Sequence, residues 1–286
     1  MTLAPQRRGP GDPCYQLDAD RAIWRTSLQN SGPVTARIRR TAPSTVTCQA
    51  WGDGADEFVE ALPALLGLGD DAGDFTPHHP VIEAAHRRVP HLRLGRTGRV
   101  LEALVPAVLE QRVPGPTRSG PGGCWSPGSA DRHPDPPRPG CGCHRRPMFG
   151  GASRRGSSTA PTSTRPGPHH RGCAQRAAAL ERLAGRPVAA ARDALTALPG
   201  VGIWTAAETA QRAFGDADAL SIGDYHIAKM VGWTLIGRPV DDAGMVELLE
   251  PVRPHRYRAV RLLEVSGLAV EPRRGARLPV QHIADL

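Results

Sequence analysis

Leu198-Pro199-Gly200-Val201-Gly202-Ile203-Trp204-Thr205-Ala206-Ala207 is the stretch whose reading decides the fold. Ahead of it, Arg192 to Leu198 puts Ala194, Leu195 and Leu198 on one face of a short helix. Pro199 ends that helix, because it lacks an N–H and its ring clashes with the preceding turn, and Gly200 and Gly202 admit backbone angles closed to other residues. Helical spacing resumes through Ile203, Thr205, Ala206, Ala207 and Ala210. The pattern is helix, tight glycine-rich turn, helix. Amides that open the second helix have no intrahelical acceptor, and the aligned peptide dipoles make that end positive, so Gly200, Val201, Gly202 and Thr205 are candidates for gripping a phosphate. An ordinary helical hairpin satisfies the same pattern, so the turn alone does not decide function.

Some twenty residues downstream, Leu220-Ser221-Ile222-Gly223-Asp224-Tyr225-His226-Ile227 leads into another apolar-periodic helix through Met230, Val231, Trp233 and Leu235. A hairpin of this form followed by an aspartate at a helix start resembles the helix-hairpin-helix DNA glycosylases, and within them the 3-methyladenine DNA glycosylase II branch. The resemblance covers residues 174 to 268 best, and also a segment from about 80 to 113. It implies double-stranded DNA with damaged bases as partner, base excision repair as the setting and a monomer as the working unit. It also allows a monovalent cation held by backbone carbonyls at the hairpin, with no other cofactor.

The residue types suit that chemistry. Breaking a base–sugar bond builds positive charge on the deoxyribose, and a carboxylate beside the sugar stabilises that charge and orients or deprotonates the attacking water. Asp224 is the candidate for this role; aspartate is also a preferred helix cap, and the two roles are compatible. The target base must leave the duplex for a pocket. Trp204 is suited to stacking on an electron-poor alkylated purine, or alternatively to core packing, and Tyr225 is a second candidate pocket wall. Glu208, one turn after Trp204, stands where the family's pattern carries an aromatic, a departure that bears on lesion preference. Members that also cut the backbone use a lysine in the hairpin's second helix. Here that position is Trp204 and the lone lysine is Lys229, so a monofunctional enzyme is expected.

The chain has 286 residues and a formal charge of +8 with pI near 9.8, carried almost wholly by arginine. Guanidinium forks match phosphate oxygens, although a GC-rich genome enriches arginine whatever the function. No apolar run approaches the length of a membrane span and no secretory signal is visible, so a cytoplasmic protein is expected. No cysteine follows Cys173, so the four-cysteine iron–sulfur loop of some hairpin glycosylases is not expected.

Residues 1 to about 74 read as an antiparallel sheet domain. Cys14 to Leu17, Ala22 to Leu28, Val34 to Ile38 and Val46 to Trp51 are strand candidates with one wet face, and Asp56 to Leu66 is an amphipathic helix packed on them. From 75 to 113 an all-α domain begins, with a short helix at Pro80 to His86 and a strongly apolar one ending Leu109-Glu110-Gln111-Arg112-Val113. By resemblance, Gln111 lies near the DNA strand and Arg112 plugs the emptied base stack; both also read as solvated helix-end residues. The helical domain returns over 174 to 268, with further helices at Asp242 to Leu249 and Tyr257 to Val265, and 269 to 286 is a Pro/Arg-rich tail. The fold class is therefore α+β.

Residues 114 to 173 interrupt it. They hold no Leu, Ile or Val and twelve of the 29 prolines. Such a segment cannot bury enough apolar area to offset its ordering entropy, and a structureless loop of this length inside a domain is uncommon. A shifted reading frame restored near Ala174 explains the Pro, Gly, Arg, Ser, Cys and Trp content. Cys141-Gly142-Cys143-His144 has poor spacing for a metal site. If the segment replaces core helices, the alternative function is an inactive DNA-binding remnant; a hairpin domain serving a polymerase or recombinase is a third reading.

Overall fold

A computed structural model describes residues 2–9, 11–111 and 177–270. The expected disordered or frameshifted segment, the Cys141–His144 cluster and nearly all of the tail lie outside the described residues.

Four strands, β1 (Tyr15–Leu17), β2 (Ile23–Leu28), β3 (Pro33–Ala42) and β4 (Thr45–Trp51), form an antiparallel sheet in sequential order. Ile23 pairs with Ile38 and Arg25 with Ala36, so the alternation read from the sequence sends these residues to one face. On that face Tyr15, Val34, Ala36 and Ile38 meet Phe58, Leu62 and Leu65 of α1 (Ala55–Leu65). The spacing of those three helix residues is that of a single apolar stripe, and Asp56 and Glu57 sit at the helix's positive end. The outer face carries Trp24 and Trp51, stacked 5.7 Å apart. The inner face is not wholly apolar. Arg25 and Ser27 are buried there and both bond Glu102 of α3 (Val100–Glu110), which joins the sheet to the helices.

The helices form two sub-cores. In the first, α3 packs against α4 (Ala177–Glu181), α5 (Val188–Thr196) and α6 (Ile203–Ala213), around Leu104, Leu180, Leu195 and Phe214. Ala206, Ala207, Ala210 and Ala213 give α6 a face of small side chains on which α3 lies closely. The start of α3 is capped from a distance, since the Glu181 carboxylate accepts the amides of Val100 and Leu101 at 2.9 Å each. In the second, α2 (Pro80–Arg88) packs with α7 (Ile227–Ile236), α8 (Asp242–Leu249) and α9 (Arg256–Ser266) around Ile82, Val231, Met245 and Leu263. The loop Phe214–His226 passes from one sub-core to the other.

Several element boundaries differ from expectation, two of them at the hairpin and Asp224. The helix expected to follow Asp224 directly starts only at Ile227, because the Asp224 carboxylate first takes the amides of His226 and Ile227 in a turn. The helix expected to reach Leu198 ends at Thr196, and the Leu198 carbonyl instead accepts from Val201 across the turn. No helix among the described residues is long and apolar enough to cross a membrane.

A buried ion pair ties α9 to the loop after α1. Arg258, 2% exposed, makes a bidentate contact with Asp70, donates to the Asp71 carbonyl and bonds His255, which in turn meets Asp74. Removing one member of such a pair leaves an uncompensated buried charge. Arg258→Met is expected to lower unfolding free energy by about 3–5 kcal/mol in urea denaturation, with the sheet's circular dichroism retained at low denaturant.

Candidate DNA-binding and base-release site

The hairpin turn occupies Ala197 to Gly202. Gly200 has φ of +80°, a left-handed conformation that a side chain would strain, and Gly202 faces open space where a Cβ would meet nothing within 4 Å. Helix α6 makes its first internal bond from the Ala206 amide to Gly202 O, so the amides of Ile203, Trp204 and Thr205 have no intrahelical acceptor. That end of α6 is electropositive and exposed at Gly202 and Ile203.

The other expected turn residues are placed less openly. Val201 is buried in the first sub-core and its amide donates to Leu198 O, so it packs the hairpin rather than facing outward. Thr205 is 1% exposed and its hydroxyl accepts from Gln111 Nε2, so its side chain is turned to the interior. Gln111 also donates to Gly200 O at 3.1 Å. An exposed residue at the end of α3 therefore clamps the turn, which places Gln111 beside the hairpin. Arg112 lies outside the described residues. Two turn carbonyls, Leu198 O and Gly200 O, each accept one N–H donor.

Asp224 lies at the junction of the sub-cores, half-buried. Its loop turns at Gly223, where φ is +90°. Oδ1 accepts the amides of His226 (2.8 Å) and Ile227 (3.1 Å), and Oδ2 accepts Trp204 Nε1 at 3.3 Å. These three contacts leave about one of a carboxylate's roughly four acceptor positions open. Trp204 is half-buried and bridges the electropositive end of α6 to the carboxylate. Tyr225 is 75% exposed, packed edge-on against His226, with Lys229 Nζ 4.3 Å above its ring. The sequence-derived candidates Asp224, Trp204, Tyr225 and the turn thus come together on one side of the molecule.

Glu208 does not join them at the surface. It is 8% exposed and faces the interior, where Oε2 pairs with Arg212 at 2.7 Å and Oε1 accepts the Ser221 hydroxyl at 2.6 Å. Burial alone would raise its pKa, but Arg212, the Ser221 hydroxyl and Arg8 outweigh this and hold it below the ordinary carboxylate range. Arg8 pairs with Glu110 at 2.9 Å, and burial beside Arg212 lowers its guanidinium to about 10. A polar hollow between sheet and helices is lined by Arg8, Asp12, Arg25, Glu102 and Arg212; it lies away from Asp224, and Arg8, Arg25 and Arg212 are already ion-paired. Arg212 stands one helical turn from Glu208, a local spacing, but Arg8 is two hundred positions distant, so the seam was not signalled by local sequence. Among the described residues no group of three or more His, Cys, Asp or Glu is placed to hold a metal.

The chain has the fold of the helix-hairpin-helix DNA glycosylases. A 3-methyladenine DNA glycosylase from Archaeoglobus fulgidus superposes with a TM-score of 0.59 at 14% identity, over 92% of this chain and 94% of that one. An 8-oxoguanine glycosylase/lyase from Clostridium acetobutylicum in its apo form gives 0.57 at 11% identity, over 89% of each chain. No protein-family model and no curated protein sequence matches the chain.

Because the Glu208 pKa is lower folded than unfolded, its contribution to stability is complete above the ordinary value of 4.5 and is lost as pH falls through the folded value. The stability gap between the native chain and Glu208→Gln is expected to be widest at neutral pH and to shrink below about pH 4.5 in urea titrations. A gap that widens on acidification would contradict the pairing.

Proposed function

We propose that the chain is a monofunctional DNA glycosylase that excises alkylated purines of the 3-methyladenine type from duplex DNA, in base excision repair. One observation carries the reading: the unbonded amides that open α6 and the carboxylate of Asp224 are joined through the single side chain of Trp204. A phosphate held by the amides of Gly202, Ile203 and Trp204 would bring the adjoining sugar toward Asp224. As the base leaves, positive charge grows on the sugar, and Asp224 stabilises it and takes the proton from the incoming water. The products are the free base and an abasic site.

Trp204 and exposed Tyr225 form the walls for the extruded base, whose cationic ring is attracted to aromatic faces. Gln111 holds the turn from behind, and Arg112, next in the sequence, is the candidate by resemblance to plug the emptied base stack. The working unit is a monomer acting in the cytoplasm, and no step runs through a cation at the hairpin. The position of a Schiff-base lysine is filled by Trp204, which supports base release without strand cutting. The 3-methyladenine glycosylase among the structural neighbours supports the alkylpurine assignment only through its fold.

With methylated duplex, the native chain is expected to leave alkali-labile abasic sites, and Asp224→Asn to lower the single-turnover rate by about 10²–10⁴-fold while still binding DNA. Binding without base release by the native chain would instead identify an inactive DNA-binding remnant. A borohydride-trapped covalent complex would contradict the monofunctional assignment.

A further inference from the structure

Helix α6 does more than offer its N-terminus. Trp204, Glu208 and Gln211 stand at i, i+4 and i+7 and share one helix face. All three reach across to the segment that carries Asp224. Trp204 Nε1 meets Asp224 Oδ2 at 3.3 Å, Glu208 Oε1 accepts the Ser221 hydroxyl at 2.6 Å, and Gln211 Nε2 donates to Ala219 O at 2.8 Å and Ser221 Oγ at 2.9 Å. Ser221 O then accepts the Asp224 amide at 3.1 Å. From the opposite side, Asp242 accepts the Gly223 amide at 3.0 Å.

We infer that Glu208 and Ser221 are positioning residues for Asp224, setting the distance between the carboxylate and the phosphate-gripping end of α6. The step they serve rests on the glycosylase reading above; the contacts do not. Glu208, Gln211 and Ser221 are all buried, and each polar group that joins them is satisfied. A fully satisfied buried network holds its members rigidly. Stability does not by itself require the charges, since well-packed apolar residues in place of a buried ion pair are often neutral or stabilising. Geometry does require the hydrogen bonds that Glu208 and Gln211 make with Ser221. The same rigid helix grips the phosphate at one end and, one and two turns further on, fixes the loop that bears the carboxylate. A carboxylate displaced by roughly 1 Å from its sugar costs about 100-fold in rate.

The test compares the full-length chain with Ser221→Ala, which removes the hydroxyl without adding charge, and Glu208→Gln, which keeps an acceptor for it. Hydrogen–deuterium exchange over residues 221–227 is measured beside single-turnover base release and half-saturation on methylated duplex. In Ser221→Ala, exchange is expected to quicken about 10-fold or more, the maximal rate to fall about 100-fold and half-saturation to stay within about 2-fold; Glu208→Gln keeps the rate within about 10-fold. Unchanged exchange in Ser221→Ala, a loosened loop with no loss of rate, or equal losses of rate and affinity would each overturn the inference. A native chain that releases no base would overturn the glycosylase reading instead, while the exchange arm still decides whether Ser221 holds the loop.

Discussion

The contact between the Trp204 indole and the Asp224 carboxylate is the one on which the rest of the site depends. It joins two structures that sequence separates by twenty positions: the electropositive opening of α6 and the turn that leads into α7. Each would be unremarkable alone, since helices commonly begin with free amides and aspartates commonly cap them. Together they set helix-opening amides and a carboxylate side by side, which is the arrangement the proposed function calls for: a nucleotide held by its phosphate while charge develops on its sugar.

That separation is maintained by packing on both sides. Behind α6, small alanine side chains let α3 lie close, and Gln111 at the end of α3 ties down the turn through Gly200 and Thr205. Beneath it, the Arg8–Glu110 pair and the bond from Arg212 to the Pro5 carbonyl connect the N-terminal segment to the helices, and Arg25 and Ser27 of the sheet meet Glu102. The sheet domain carries none of the candidate chemistry. It supplies a charged inner edge against which the helices bearing the site are seated.

Much of this was legible in the sequence where the signal is local. Alternation in Val34–Ile38 and Val46–Trp51 located β3 and β4, the apolar stripe of residues 100–109 located α3, and the Pro-Gly-Val-Gly run located the hairpin. Asp224 was legible too, because a cap residue declares itself at a helix start. Glu208 was not. It was read only as a departure from the family's aromatic at that position, whereas its inward direction depends on Ser221 and Arg212 being there to satisfy a buried carboxylate. Val201 and Thr205 were likewise read as facing DNA from their place in the motif. Their burial follows from the close seating of α3 and α5, which no window of local sequence contains.

The central claim is that Asp224 faces the sugar of a nucleotide whose phosphate lies on α6. Binding of a duplex with a cationic pyrrolidine in place of one deoxyribose, which carries the positive charge of the departing-base state, tests this most directly. The native chain is expected to bind it at least about 100-fold more tightly than the same duplex with a neutral ring, and Asp224→Asn to abolish the preference. Equal affinity of the native chain for the charged and neutral duplexes would contradict it.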